Sequence, residues 1–211
     1  MDEIKRLLTA GVGYRFCSLL FRYPSEEVVF AAASLLNELS SDIRNEADAL
    51  VKLMARPPTR AEYHSLLGSC GSVSPYESTY QADQGVRDKG AVLGDVAGFY
   101  QAFGFESSRE LLEAPDHISV ELAFLSYLKL KAAYALMNGN TRAYHICCEA
   151  EERFTNEHLL RWLPEFITQV GAQATDPFYR DAARVVQSLG RVIAANETAH
   201  SPRRHRVTEK D

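Results

Sequence analysis

Glu113-Ala-Pro-Asp-His117, running directly into Ile118-Ser-Val-Glu-Leu-Ala-Phe-Leu-Ser-Tyr-Leu-Lys-Leu-Lys-Ala-Ala-Tyr-Ala-Leu-Met137, is the stretch on which the fold turns. Ile118, Leu122, Leu125, Leu128 and Leu136 recur near helical spacing, so residues 117–137 form the most apolar helix of the chain, central and buried on much of its girth. Pro115 and Asp116 mark its start. Proline has no amide hydrogen to leave unpaired there, and aspartate accepts bonds from first-turn amides. One face then carries His117 and Glu121 a turn apart. Glu113, Asp116, Glu121 and His117 thus meet at one rim, where the positive helix end offsets part of the carboxylate repulsion. Such a rim suits a cationic or peptide partner. The same residues equally fit an ordinary helix start, with Asp116 a cap, His117 a surface residue and Glu121 a solvated charge. Spacing alone leaves both accounts open.

Helical periodicity extends outward from this element in both directions, with no alternation long enough for a sheet, so the fold class is all-α: a single-domain bundle of about nine to ten helices. A first helix over 4–22 buries Leu7, Leu8, Phe16, Leu19 and Leu20 and stops at Tyr23-Pro24. Ser25 caps a second helix. A third covers about 43–54, and Thr59 with Glu62 makes a capping box for a fourth, to about 67. Helices follow over about 87–103, closed by Gly104, and over 117–137, closed by Asn138-Gly139-Asn140. Three more are expected: one capped by Thr141 and running to about 154, one over about 164–171, and one from Asp176-Pro177 to about 196.

Between Gly68 and Gly85 the pattern breaks, and a connection without regular structure is expected there. Tyr76 and Tyr80 inside it favour a packed or binding loop over a disordered one. The helical domain is accordingly expected to span 1–199, as an N-terminal lobe (1–67), the connector (68–86) and a C-terminal lobe (87–199), with 200–211 a disordered tail.

Composition narrows the function classes. A net charge of −5 and a pI near 5.7 argue against nucleic-acid binding and against stable association with an anionic bilayer. The N-terminus shows no secretory or transit pattern, which makes the cytoplasm the expected location. Cys17, Cys70, Cys147 and Cys148 form no C-x-x-C pair or disulfide framework and are expected as buried thiols. Phosphate loops, the His-Glu-x-x-His zinc signature and the Gly-x-Ser-x-Gly turn are missing, so no cofactor or metal is implied. A small helical hydrolase or lyase using Asp116 and His117 as an acid/base pair remains the alternative, without an evident nucleophile beside it.

Four segments in order carry a family resemblance: Tyr14-x-x-x-Ser18-Leu19-Leu20-Phe21-x-Tyr23-Pro24; Pro75-Tyr76-Glu77-Ser78-Thr79-Tyr80; Glu113-Ala-Pro-Asp-His117 with Glu121-Leu122; and Glu157-His158-Leu159-Leu160-x-Trp162-Leu163-Pro164. Over roughly residues 10–190 the chain resembles the TorD/DmsD/NarJ family of molybdenum-oxidoreductase maturation chaperones. The resemblance implies a TorD-like fold and a non-enzymatic cytoplasmic chaperone, monomer or dimer. Its partner would be the apo catalytic subunit of a molybdopterin-dependent oxidoreductase, many members engaging that subunit's twin-arginine signal peptide until the cofactor is inserted. Matching positions for the peptide-binding region are Pro75, Tyr76 and Ser78 with Pro115, Asp116 and His117. A peptide with paired guanidinium groups and an apolar stretch wants carboxylates beside aromatic rings. Glu113, Asp116 and Glu121 can supply the first, and Tyr76 and Tyr80 the second; Glu77 lies within the same loop.

Overall fold

A computed structural model of the chain describes residues 2–41, 43–44, 57–83, 85, 88–106 and 113–200, with backbone only at 83 and 191–200. The described residues form nine α-helical segments: α1 (Asp2–Leu20), α2 (Glu26–Leu35), α3 (Arg60–Leu67), α4 (Glu77–Asp83), α5 (Lys89–Phe103), α6 (Ile118–Met137), α7 (Thr141–Phe154), α8 (Leu160–Gln173) and α9 (Pro177–His200). A π-helical turn, Thr155–Leu159, joins α7 to α8 without a break. Counted as rods, the helices therefore number slightly fewer than expected. The helix expected over 43–54, beyond its first two residues, and the tail beyond His200 lie outside the described residues. No described helix is long and apolar enough to cross a membrane.

Local chemistry sets most of the boundaries. The Ser25 side chain accepts the Val28 amide at the start of α2, and Thr59 and Glu62 form the reciprocal capping box of α3. Gly104 closes α5 at φ 66°, a left-handed position that glycine takes without the Cβ penalty. Asn140, rather than Thr141, caps α7, accepting the Ala143 amide.

Two boundaries depart from expectation. The connector is not structureless, since α4 lies within it. Pro164 does not open a new helix but sits inside α8. The rod reaches it through the π turn, where the Leu160 amide bonds back to Thr155 O, so the ladder is already rearranged one turn ahead of the residue that lacks a donor.

α6 is the axis of the bundle, with Ile118, Val120, Leu122, Phe124 and Leu125 wholly buried. α1 runs antiparallel along it. Ser18 Oγ donates to Ser119 O at 2.7 Å near one end, and Ser126 Oγ donates to Gly11 O at 2.8 Å near mid-helix. Gly11 permits this approach, for a Cβ there would already touch Lys129 Cβ at 3.4 Å. α7 folds back along α6, and a Lys129–Glu151 bridge of 2.7 Å ties the two together. One continuous apolar cluster takes residues from every helix, from Tyr14 and Phe16 of α1 to Tyr179 and Val186 of α9. Cys17 and Cys147 are buried thiols as expected, whereas Cys70 is exposed.

Candidate functional site

The two segments that sequence marks as functional are stitched together. Tyr76 and His117 form an isolated antiparallel bridge, in which the Ile118 amide donates to Pro75 O (2.9 Å) and the Glu77 amide to Asp116 O (3.0 Å). The Asp116 carboxylate then accepts the Ser78 amide at 3.0 Å. It therefore caps α4, a helix 38 residues away in sequence, and not its own; His117 is the N-cap of α6, its Nδ1 accepting the Ser119 amide at 3.1 Å. This explains why α4 escapes local pattern recognition, because its first turn is satisfied from a distant strand of chain. Tyr100 of α5 pins the motif from behind, its hydroxyl donating to Pro115 O at 2.8 Å, and Tyr80 anchors the connector by donating to Ser74 O at 2.8 Å.

The expected open acidic rim is corrected by burial. Glu77, Asp116, His117 and Glu121 are essentially without solvent contact, and Ser78 is buried. Of the expected carboxylates at the rim only Glu113, with a side chain 22% exposed, meets water. Tyr63 and Tyr76 donate to its two oxygens, each at 3.4 Å, and Tyr23 packs edge-on against Tyr63. Burial, followed by the Glu113 charge, raises the pKa of both tyrosines, so they remain donors. His117 Nε2 lies 3.9 Å from Glu113, yet this is no ion pair. Burial lowers the imidazole to about 3, and Nδ1 is already an acceptor, which assigns the proton to Nε2 of a neutral ring. Asp116 and His117 bond to different partners and not to each other, so the alternative acid/base pair is not assembled.

Behind this surface lies a second polar cluster. His158, carried on the π turn, sets Nδ1 at 3.0 and 3.1 Å from the two carboxylate oxygens of Glu77. Gln81, one turn along α4, also donates to Glu77. Trp162 of α8 donates its indole N–H to Glu121 Oε2 at 3.2 Å. Burial first, then the Glu77 charge, raises the Glu121 pKa well above the carboxylate range. Glu121 Oε1 is buried, and no described donor reaches it. His158 Nε2 faces Asp95 of α5 at 3.6 Å.

Sequence reasoning placed Glu77 and Glu121 in the right neighbourhood but gave His158, Trp162 and Gln81 no role. The available signal was the i to i+4 spacing of His158 and Trp162 beside Leu159 and Leu163, which puts two polar-tipped rings on one buried face in need of an acceptor. Among the described residues no group of three or more His, Cys, Asp or Glu side chains is arranged to hold a metal ion.

The profile of the family described as nitrate reductase delta subunit matches residues 31–168. The selenate reductase assembly chaperone protein of Thauera selenatis is 34% identical over 131 residues, which are 62% of this chain and 63% of that protein. Chaperone protein TorD of Vibrio cholerae serotype O1 (strain M66-2) is 28% identical over 172 residues, 78% of this chain and 76% of its own. In three dimensions the chain matches the crystal structure of a protein described as a redox enzyme maturation protein from Archaeoglobus fulgidus, with a TM-score of 0.54 at 23% identity, over 87% of this chain and 93% of that one. That likeness establishes the shared all-helical fold.

Proposed function

From the premise that this chain belongs to the nitrate reductase delta subunit family, which includes the TorD-type assembly chaperones, we propose that it is itself an assembly chaperone for a molybdopterin-dependent oxidoreductase. Its partner in this reading is the apo catalytic subunit, held in the cytoplasm until the molybdopterin is inserted, with the twin-arginine signal peptide as one ligand. The observation that carries the site is the Tyr76–His117 bridge, because it puts the tyrosine segment and the Glu113 motif on one surface. A guanidinium seated on Glu113 would replace the two long tyrosine contacts with a charge-assisted pair flanked by aromatic faces. Buried Asp116, His117, Glu77 and Ser78 take part by holding that surface in shape, as do Pro75 and Pro115 through their carbonyls.

The experiment is co-purification of the tagged full chain from cells expressing a molybdopterin oxidoreductase, together with direct titration of a twin-arginine peptide. Recovery of the catalytic subunit is expected. Glu113→Gln should weaken the peptide roughly tenfold, the order of one charge-assisted bond, and replacement of the arginines by lysine should do the same. Failure to recover any catalytic subunit refutes the chaperone role; unchanged peptide affinity in Glu113→Gln refutes only the site.

A further inference from the structure

α6 keeps part of one face free of the bundle. Leu130, Tyr134 and Met137 recur at i, i+4 and i+7 on its C-terminal half and are 47%, 70% and 66% exposed, while Ala132, Ala133 and Ala135 between them are buried. α1 borders this row. A Cβ on Gly11 would meet Leu130 Cδ2 at 3.8 Å, and Leu8, one turn earlier on α1, is itself 40% exposed. The row covers two turns, roughly 10 Å, at the end of α6 away from Glu113. Scattered exposed hydrophobes are ordinary, whereas a row in register along one helix marks a contact surface.

The cations beside the row indicate what covers it. Lys131, on the flank toward α5, donates to Phe103 O at 2.8 Å and lies over the Tyr127 and Phe103 rings at 5.1 and 5.9 Å; no described carboxylate pairs with it. Arg15, one turn beyond Gly11 on the α1 flank, is half-buried. Burial and then the Arg22 charge lower its pKa, and again no described carboxylate pairs with it. On a chain of net charge −5, two cations without a counter-ion beside an exposed apolar row form a pattern completed from outside. A partly desolvated cation gains more from an incoming carboxylate than a fully hydrated one does. A second copy meeting this face about a two-fold axis would bring cations against cations, and a twin-arginine peptide would do the same.

We propose that Leu8, Leu130, Tyr134 and Met137 form a docking surface for an amphipathic helix of a partner polypeptide that carries carboxylates along both flanks of its apolar stripe. Apolar side chains spaced one turn apart on that helix seat between those of α6 and α1, and its flanking carboxylates pair with Lys131 and Arg15. This surface is separate from the one around Glu113, and its assignment does not rest on what binds there.

The probe is a synthetic helical peptide of about 18 residues with leucines on one face and glutamates on both flanks, titrated against the full chain by calorimetry beside copies in which glutamine or lysine replaces the glutamates. The glutamate form is expected to bind about tenfold tighter than the glutamine form, and the lysine form not at all. Tyr134→Ser combined with Met137→Ser, both at exposed positions, should weaken the glutamate form about tenfold or more with an unchanged urea midpoint. Should that variant lose stability, Lys131→Gln decides, and it should remove most of the preference for glutamate over glutamine. Equal binding of the glutamate and lysine forms, parental affinity in the double variant, or an undiminished glutamate preference in Lys131→Gln overturns the proposal. So does evidence that the row serves another contact, namely self-association in sedimentation or capture on phosphatidylglycerol vesicles that disappears in the same double variant.

Discussion

Removing the Asp116 carboxylate should destabilise the protein through a helix to which Asp116 does not belong. In Asp116→Ala the Ser78 amide loses its acceptor at 3.0 Å while remaining buried, so water cannot replace the bond. A hydrogen bond to a charged acceptor contributes about 1.5–3 kcal/mol, and an orphaned buried donor costs a similar amount. The two descriptions count the same loss, which sets the expected change at about 2–3 kcal/mol. For a chain of this size that corresponds to a melting point lowered by roughly 4–12 °C. Asp116→Asn retains an oxygen at the same place and should lose only about 1 kcal/mol. Urea unfolding at neutral pH, followed by Trp162 emission and far-ultraviolet circular dichroism, measures both variants. The midpoint should move with the slope unchanged. A loss in Asp116→Ala of less than about 0.5 kcal/mol, the range of ordinary surface substitutions, would refute the assignment of Asp116 as the cap of α4.

Three further outcomes follow from particular contacts. His117 is neutral in the folded chain down to about pH 3 but binds its proton near 6.5 when unfolded, so the stability it contributes is complete above pH 6.5 and is lost as pH falls toward 3. His117→Gln should flatten the stability profile across that window, and an unchanged acid slope in urea midpoints would count against the neutral ring. Gly71→Ala should cost on the order of 2 kcal/mol or more in thermal or urea unfolding, because its Cβ would lie 2.5 Å from the Leu66 carbonyl oxygen, which is backbone and cannot swing aside; near-wild-type stability would contradict that geometry. Ser18→Ala removes the buried bond to Ser119 O at 2.7 Å and should cost about 1 kcal/mol, read by the same unfolding curves, with no change expected if α1 and α6 are held by apolar packing alone.

The elements whose signals are local were readable from the chain itself. The Thr59/Glu62 box, the Ser25 cap, the Gly104 stop and the apolar periodicity of residues 117–137 each act within one or two helical turns, and each element formed where its residues said it would. α4 was not readable, because its decisive cap is Asp116, and sequence order says nothing about which distant carboxylate meets an amide. The solvent exposure of the motif failed for the same reason. Asp116, His117 and Glu121 look like surface residues by type, and only the partners assembled around them make burial affordable.

Sequence by itself thus determined an all-helical bundle built round the helix after Glu113-Ala-Pro-Asp-His117, and it singled out the two segments that meet. Tertiary structure alone decided which of their charges reach water. It left Glu113 at the surface and drew Glu77 and Glu121 inside against His158 and Trp162. The physical reason is range: caps and periodicity are settled by neighbours a turn away, whereas the solvation of a carboxylate depends on every element that closes over it.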